Sequence, residues 1–432
     1  MKYSALFCHL KRYRNIIIVA FRNRRSSMII TLLIIAVCLL TQCIDENATA
    51  VPAGQYSLAN SAFNQFSGSD ACASCHKDIY DKHLKTAHYL STRPALEKYI
   101  KGPFTPGNNS YKFEDNLEVR MEKRKDSFFQ VVYVDGVEKR SERFDVVVGS
   151  SVKGQTYLHW NRSELVQLPI TWFEPARQWS NSPGYASKLL FNRPISSRCL
   201  ECHTTYVYKL TEEPVRPELY HDEQIVYGID CEKCHGPAAK HVEFHRGNNS
   251  DSARFIINPA HLTRQQNLDL CALCHGGRLT KTKPSFSFTA GESLKDYFTI
   301  DTAGRSANDI DVHGNQFGLM AASQCFQNSN MTCTSCHSPH EKEKGNLELF
   351  SRRCMNCHGS GHEKVCKLTA TAGAVISKNC IDCHMPKQPS GSIAVLLEGK
   401  SMPTPVMMRT HFVKAYPDAT KKVLDLISNK SK

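Results

Sequence analysis

Cys231-Glu232-Lys233-Cys234-His235 and, further on, Cys380-Ile381-Asp382-Cys383-His384 share one pattern. Two residues separate a pair of cysteines, and a histidine directly follows the second. The same spacing recurs at Cys72-Cys75-His76, Cys199-Cys202-His203, Cys271-Cys274-His275, Cys333-Cys336-His337 and Cys354-Cys357-His358, so seven copies use 14 of the 19 cysteines. Zinc would need four ligands, usually from paired half-sites, and an odd number of identical half-sites fits that poorly. The spacing suits thioether attachment of haem. Two intervening residues let both sulfurs reach the two vinyl groups, and the adjacent histidine falls under the iron. The expectation is seven covalently bound haem c groups, with His76, His203, His235, His275, His337, His358 and His384 as proximal iron ligands.

The chain has 19 histidines. Seven lie in the motifs and His9 lies near the N-terminus, which leaves enough to give every iron a second imidazole. The candidates by local pattern are His88, His241, His313, His340, His362 and His411. His88 follows the first motif on a helical stretch, His340 sits in Ser-Pro-His after the fifth, and His411 lies in the tail. His83, His245 and His261 are reserves, and His159 and His221 are read as bystanders. His/His ligation gives low potentials, Met/His raises them, and a vacant sixth position would admit a substrate. Outside the motifs, Cys325 and Cys366 remain in the haem-bearing region, as a disulfide or as two buried thiols.

Met28–Leu40 reads MIITLLIIAVCLL after Arg22, Arg24 and Arg25. A basic stretch before a short apolar run describes an export signal. Leu40-Thr41-Gln42-Cys43 resembles a lipobox, which would make Cys43 a lipid anchor. Ala48-Thr49-Ala50 offers ordinary cleavage instead, and an uncleaved anchor is the third option. Arg24-Arg25 gives a weak twin-arginine pattern. Each reading puts the bulk of the chain in the periplasm or on the outer face of the envelope, where covalent haem attachment takes place. No apolar run reaches the roughly 20 residues of a bilayer span, which excludes a polytopic membrane protein. Of the net charge of +13, seven charges are Lys and Arg within residues 1–42, so +6 remains. Fourteen propionates and seven ferric irons bring the loaded protein to about −1. The basic residues are spread out, so nucleic acid is not an expected partner.

The expected organisation is a leader (1–42), a linker with the first haem-binding segment (43–105), a β-rich haem-free insert (106–195), a six-haem domain (196–387) and a tail (388–432) that supplies His411. From Cys199 to His384, six motifs share 186 residues. So little chain per cofactor leaves the porphyrins themselves as core. In the insert, Phe128–Val134, Asp135-Gly136 and Phe144–Val148 read as a hairpin, followed by Gln155–Trp160 and Leu165–Phe173. All three tryptophans fall there: Trp160, Trp172 and Trp179. The predicted fold class is mainly α with little regular structure around stacked c-type haems, plus a small antiparallel β insert.

The motifs, with Thr86-Ala87-His88, Cys231–Pro237 with His241, and Cys380–Pro386 with His411, resemble the multihaem cytochrome c superfamily. The resemblance is greatest to nitrifier-type tetrahaem cytochromes and their hydroxylamine oxidoreductase-like relatives. It implies closely stacked haem pairs, mostly bis-His iron and electron transfer across the envelope. Pentahaem nitrite reductases of this superfamily use a Lys-ended motif, and no C-x-x-C-K occurs here. The hydroxylamine oxidoreductases require a tyrosine cross-linked to the active haem, which a sequence cannot display. The expected function is an exported heptahaem electron carrier, with quinol-linked cytochromes or a terminal reductase as redox partners. The alternative is a multihaem reductase or oxidase of a small nitrogen or sulfur compound at one open iron.

Overall fold

A computed structural model of the chain describes residues 62–185, 188–211, 215–248, 252–300, 306–359 and 366–430. The leader, Cys43 and His362 lie outside the described residues. The first sheet is antiparallel: β2 (Ser110–Glu114), β3 (Leu117–Arg124), β4 (Ser127–Val134) and β5 (Val137–Arg143), paired in that order. Asp135 and Gly136 turn β4 into β5 with φ of 50° and 76°. Two consecutive positive φ values match the twist of a two-residue hairpin, which explains the Asp-Gly pair. The turn is where the sequence places it, but its second strand is Val137–Arg143 and not Phe144–Val148. A two-residue turn pairs the residues that flank it, here Val134 with Val137. The resulting edge strand carries Glu138, Lys139, Arg140, Glu142 and Arg143, a charged edge that resists pairing with another chain.

The second sheet runs β1 (Thr92–Pro94), β6 (Val146–Val148), β7 (Gly154–Asn161), β8 (Glu164–Phe173) and β10 (Arg193–Pro194), with β9 (Gln178–Asn181) also paired to β8. Val119, Met121, Phe128 and Val132 of the first sheet share one core with Tyr157, Leu168, Ile170, Trp172 and Trp179 of the second. Val146, Leu158 and Leu165 pack instead with Leu200, Val207, Tyr220 and Ile225. The second sheet is thus covered on both sides, which explains the unbroken buried run in β8. Gln130 lies in the first core with no exposure. Its Nε2 donates to the Ile170 carbonyl at 2.7 Å, and its Oε1 accepts from the Ile170 N–H at 3.0 Å.

The prediction of a mainly α chain is overturned: 31% of the structure is helix and 28% is strand. Antiparallel hairpins also lie between and after the motifs. They are β11 (Thr204–Lys209) with β12 (Tyr220–Tyr227), β13 (Leu279–Lys281) with β14 (Phe298–Ile300), and β15 (Lys387–Val395) with β16 (Thr404–Arg409). The reason is backbone hydrogen bonding. Segments between the motifs bury apolar side chains, and their buried N–H and C=O groups need partners, so they pair with each other. The β15–β16 hairpin also ties the motif-bearing part to the sheets. Val395 and Val406 pack on Phe173, Leu397 bridges to Ser180, and Glu398 accepts from the Lys112 N–H at 2.9 Å. Among the described residues, no helix is long and apolar enough to cross a membrane.

Replacing Gln130 by Leu keeps the volume but strands both Ile170 backbone groups in the core. We expect a loss of about 2–4 kcal/mol, read from denaturant unfolding of the haem-loaded protein. Substitution of the exposed Glu138 by Gln should cost far less.

Candidate functional site

Five of the seven motifs end a helix on their histidine: Ser197–His203, Cys231–His235, Arg264–His275, Leu347–His358 and Cys380–His384. On a helix, residues i, i+3 and i+4 share one face. Two thiols and one imidazole therefore point the same way, the arrangement a tethered metal macrocycle needs. The first motif instead spans the end of helix Ser69–Cys72, with His76 opening helix Lys77–His83. The fifth is a 3₁₀ turn, Cys333–Ser335. Four of the motif helices carry local side-chain caps, on Asp230, Thr263, Asn346 and Asn379. Asp230 accepts from the Cys231 N–H at 2.8 Å, and Asn379 accepts from the Asp382 N–H at 3.2 Å.

Residues between the paired cysteines play a structural part that the motif reading does not reveal. Glu232 is 3% exposed. Its carboxylate accepts from the N–H groups of Ser67, Gly68 and Ala238, each at 2.8 Å, and so holds the approach to the first motif against the third. Glu201 is 1% exposed and accepts from Arg198 and from the Phe286 N–H, both at 2.9 Å. The sequence signal that could mark them is an acidic residue inside a motif that is otherwise reserved for a cofactor.

The motifs pack against one another. Cys231 lies beside Cys72, Cys202 beside Cys274 and Cys271 beside Cys333. In each pair the neighbouring thiol is the largest influence, raising one thiol's pKa and lowering its partner's. Ser351, beside the sixth motif, accepts from the Cys380 N–H of the seventh at 3.0 Å. The thiols thus form a ladder that runs through motifs far apart in sequence. Cys325 and Cys366 are not joined in a disulfide, and Cys366 is exposed, so neither sequence alternative holds in full. Each belongs to a different part of that ladder, Cys325 near Cys336 and Cys354, Cys366 near Cys380 and Cys383.

Three imidazole pairs face each other across a gap. His88 and His275 have ring centres 6.3 Å apart, His235 and His340 6.1 Å, and His337 and His411 6.2 Å. Two imidazoles that grip one metal through Nε2 from opposite sides have ring centres about 6 Å apart, given metal–nitrogen bonds of about 2.0 Å. Each pair joins a motif histidine to one from another segment. His88 therefore lies opposite the fourth motif and not the first. His235 Nδ1 lies 2.8 Å from the Ile257 carbonyl, and His384 Nδ1 lies 3.1 Å from that of Lys414. A carbonyl acceptor fixes the proton on Nδ1 and leaves the Nε2 lone pair for a metal. Burial pushes His88 and His411 down to about 4 and lowers His203, His235, His275, His313, His337, His340 and His384, so the imidazoles are neutral.

The remaining candidates are placed differently. His313 lies near His203, and His358 near His384. His241 lies against His245, ring centres 4.6 Å apart, with its Nδ1 2.8 Å from the Arg254 carbonyl. His83 is buried, 3.5 Å from Asp230. His261 is in a short 3₁₀ turn, and half-buried His221 is 3.8 Å from Asp222. His159 bridges Asp145 at 2.8 Å and Glu142 at 3.0 Å in the second sheet.

The cytochrome c554 and c-prime family model matches residues 176–236, which hold the second and third motifs. Over 188 residues the chain is 22% identical to the C-type polyheme cytochrome OmcC of Geobacter sulfurreducens, covering 42% of this chain and 23% of that one. The chain thus spans less than a quarter of that relative's length. The crystal structure of the outer cell wall cytochrome OcwA shares the fold, with a TM-score of 0.51 at 17% identity over 83% of this chain and 81% of that one. Fold and repeated motifs define a multihaem c-type cytochrome, with haem c as its covalently bound cofactor. Within that class, residues 176–236 are similar to the cytochrome c554 and c-prime family. The donor set fits the group: paired thiols on one helical face, neutral imidazoles, and gaps sized for one iron.

Replacing Glu232 by Ala removes the acceptor for three N–H groups. The expected loss is about 2–4 kcal/mol, with faster hydrogen exchange at Ser67 and Gly68 before the rest. The His159 pKa is raised, chiefly by its hydrogen bond to Asp145. Its contribution is therefore complete below the ordinary histidine pKa of 6.5 and lost as pH rises through the raised value. The stability difference between the protein and His159→Gln should shrink as pH rises above the ordinary histidine range and through the raised value, in paired thermal melts.

Proposed function

We propose that the chain is an exported heptahaem c-type cytochrome that carries electrons between redox partners in the cell envelope. The observation that carries this reading is the set of three imidazole pairs at 6.1–6.3 Å, each crossing between segments. Haem, when bound, supplies reversible one-electron chemistry at iron. The chain does the rest. His88, His340 and His411 close the irons held by His275, His235 and His337, and His313 closes the one held by His203. His241 and His362 serve further irons. Two neutral imidazoles on an iron shut out substrate and favour a low potential. The contacts between motifs keep neighbouring cofactors close, and the sheets serve as scaffold.

Met28–Leu40 directs export, and Cys43 is the candidate lipid attachment point. The partners that suit such a carrier are quinol-linked cytochromes and a terminal reductase. The finer kinship, to nitrifier-type tetrahaem cytochromes, rests on Thr86-Ala87-His88 and the contexts of the third and seventh motifs.

A pyridine haemochrome assay on the matured protein should give seven haems per chain, and a lower number would remove the heptahaem reading. His88→Ala, His340→Ala and His411→Ala should each turn one low-spin haem high-spin by electron paramagnetic resonance, while His159→Ala turns none. If none of the three changes a spin state, the axial assignment is wrong. Substrate-stimulated turnover at a high-spin iron in the intact protein would replace the carrier by an enzyme.

A further inference from the structure

The hairpin of β15 and β16 has two unlike faces. Its register sets Lys387 opposite Arg409 and Pro389 opposite Met407. Side chains two apart on a strand point the same way, so these four share one face. Val406 and Met408, on the other face, pack toward Phe173. Met407 is 42% exposed, and Lys387 and Pro389 are exposed beside it. Two further cations reach this hairpin from other segments. Lys153 donates through Nζ to the Met407 carbonyl. Lys344, from the loop after the fifth motif, lies near Lys153 and Lys387.

Like charges directly opposite each other in an antiparallel pair are destabilising, and the compensation here is slight. Arg409 Nη2 donates to Asp382 at 2.6 Å, while no carboxylate among the described residues forms a salt bridge with Lys153, Lys344 or Lys387. Surrounding protein lowers the pKa of Lys344, and Lys153 and Lys387 lower it further. The charge of the chain is concentrated in the same segment. Residues 387–430 hold seven Lys and Arg against three acids, most of the +6 that lies outside residues 1–42. With haem bound the chain comes to about −1, so this face is the positive end of a near-neutral molecule.

The face adjoins two iron sites. Arg409 Nη1 donates to the Met385 carbonyl at 3.0 Å, one residue past His384. His411, two residues past Arg409, faces His337. We propose that this face is the docking surface for a carboxylate-rich electron-transfer protein, with Met407 and Pro389 at its centre and the lysines around them. Each lysine is a hydrated point charge on a flexible stem, which suits steering an acidic partner into brief contact. A small oxyanion would call for a free guanidinium fork, and the fork of Arg409 is taken by Asp382 and the Met385 carbonyl. An apolar centre within a polar rim is the anatomy of a protein interface. The inference rests on the carrier reading above and gives the partner its chemistry.

The test is stopped-flow electron transfer at low salt from reduced flavodoxin, an acidic protein used as the probe, to the oxidised haem-loaded chain. Haem is counted in each variant, and rates are compared per loaded protein. Lys344→Glu combined with Lys387→Glu should slow the second-order rate by about tenfold and remove most of its salt dependence. Lys344→Arg combined with Lys387→Arg keeps the charge and should keep the rate. Lys125→Glu combined with Lys139→Glu makes the same change in net charge at exposed positions of the first sheet, and should leave the rate within about twofold. Equal rates in the two glutamate variants would overturn the inference and leave the carrier reading intact. So would a haem potential that becomes pH-dependent near neutrality in Lys344→Glu, Lys387→Glu alone, because the lysines would then be serving a porphyrin carboxyl. Phosphate slowing transfer more than chloride at matched ionic strength would overturn it too, since the face would then hold a small anion. If dithionite fails to reduce the unaltered protein, the functional reading itself fails.

Discussion

One geometric feature organises the molecule: in three places two imidazoles from different segments face each other with ring centres about 6 Å apart. A single helical turn can present two thiols and one imidazole, because i, i+3 and i+4 share a face. It cannot supply the opposing imidazole. That imidazole comes from another segment in each of the three facing pairs. His411 meets His337, His340 meets His235, and His88 meets His275, far along the chain. The chain folds back on itself wherever it makes a site.

Such a plan leaves little chain to form an ordinary interior, and the structure answers with scaffolding on two scales. Locally, acidic residues within the motifs become buried acceptors. Glu232 gathers three backbone N–H groups, and Glu201 ties helix Ser197–His203 to the Phe286 loop. Globally, the second sheet acts as a plate. One face is filled by the aromatic core it shares with the first sheet, and the other meets Leu200 within the second motif. Desolvation by the surrounding protein favours the neutral imidazoles, which can donate a lone pair.

How much of this is legible in the sequence follows from the range of each interaction. The thiol and imidazole spacing is local and can be read directly. So can the Asp-Gly turn, since φ > 0 at two successive residues is a property of the dipeptide. The strand that follows the turn escapes such a reading. Its run of charged residues, Glu138–Arg143, looks like loop when judged by hydrophobicity alone, yet it is an exposed edge strand. The hairpins between motifs escape for a related reason: dense motifs suggest loops, while backbone pairing decides for strands. Cys325 and Cys366 look like a natural couple by elimination, yet each packs among a different motif's thiols.

Covalent chemistry is written in the sequence alone: which cysteines stand ready to tether a cofactor, and which histidine follows each, because these depend on neighbours along the backbone. Tertiary structure alone decides which imidazole faces which, that the fold is nearly as much strand as helix, and which lysines gather on one face. Those outcomes depend on contacts between residues widely separated in the chain, and no local pattern encodes them.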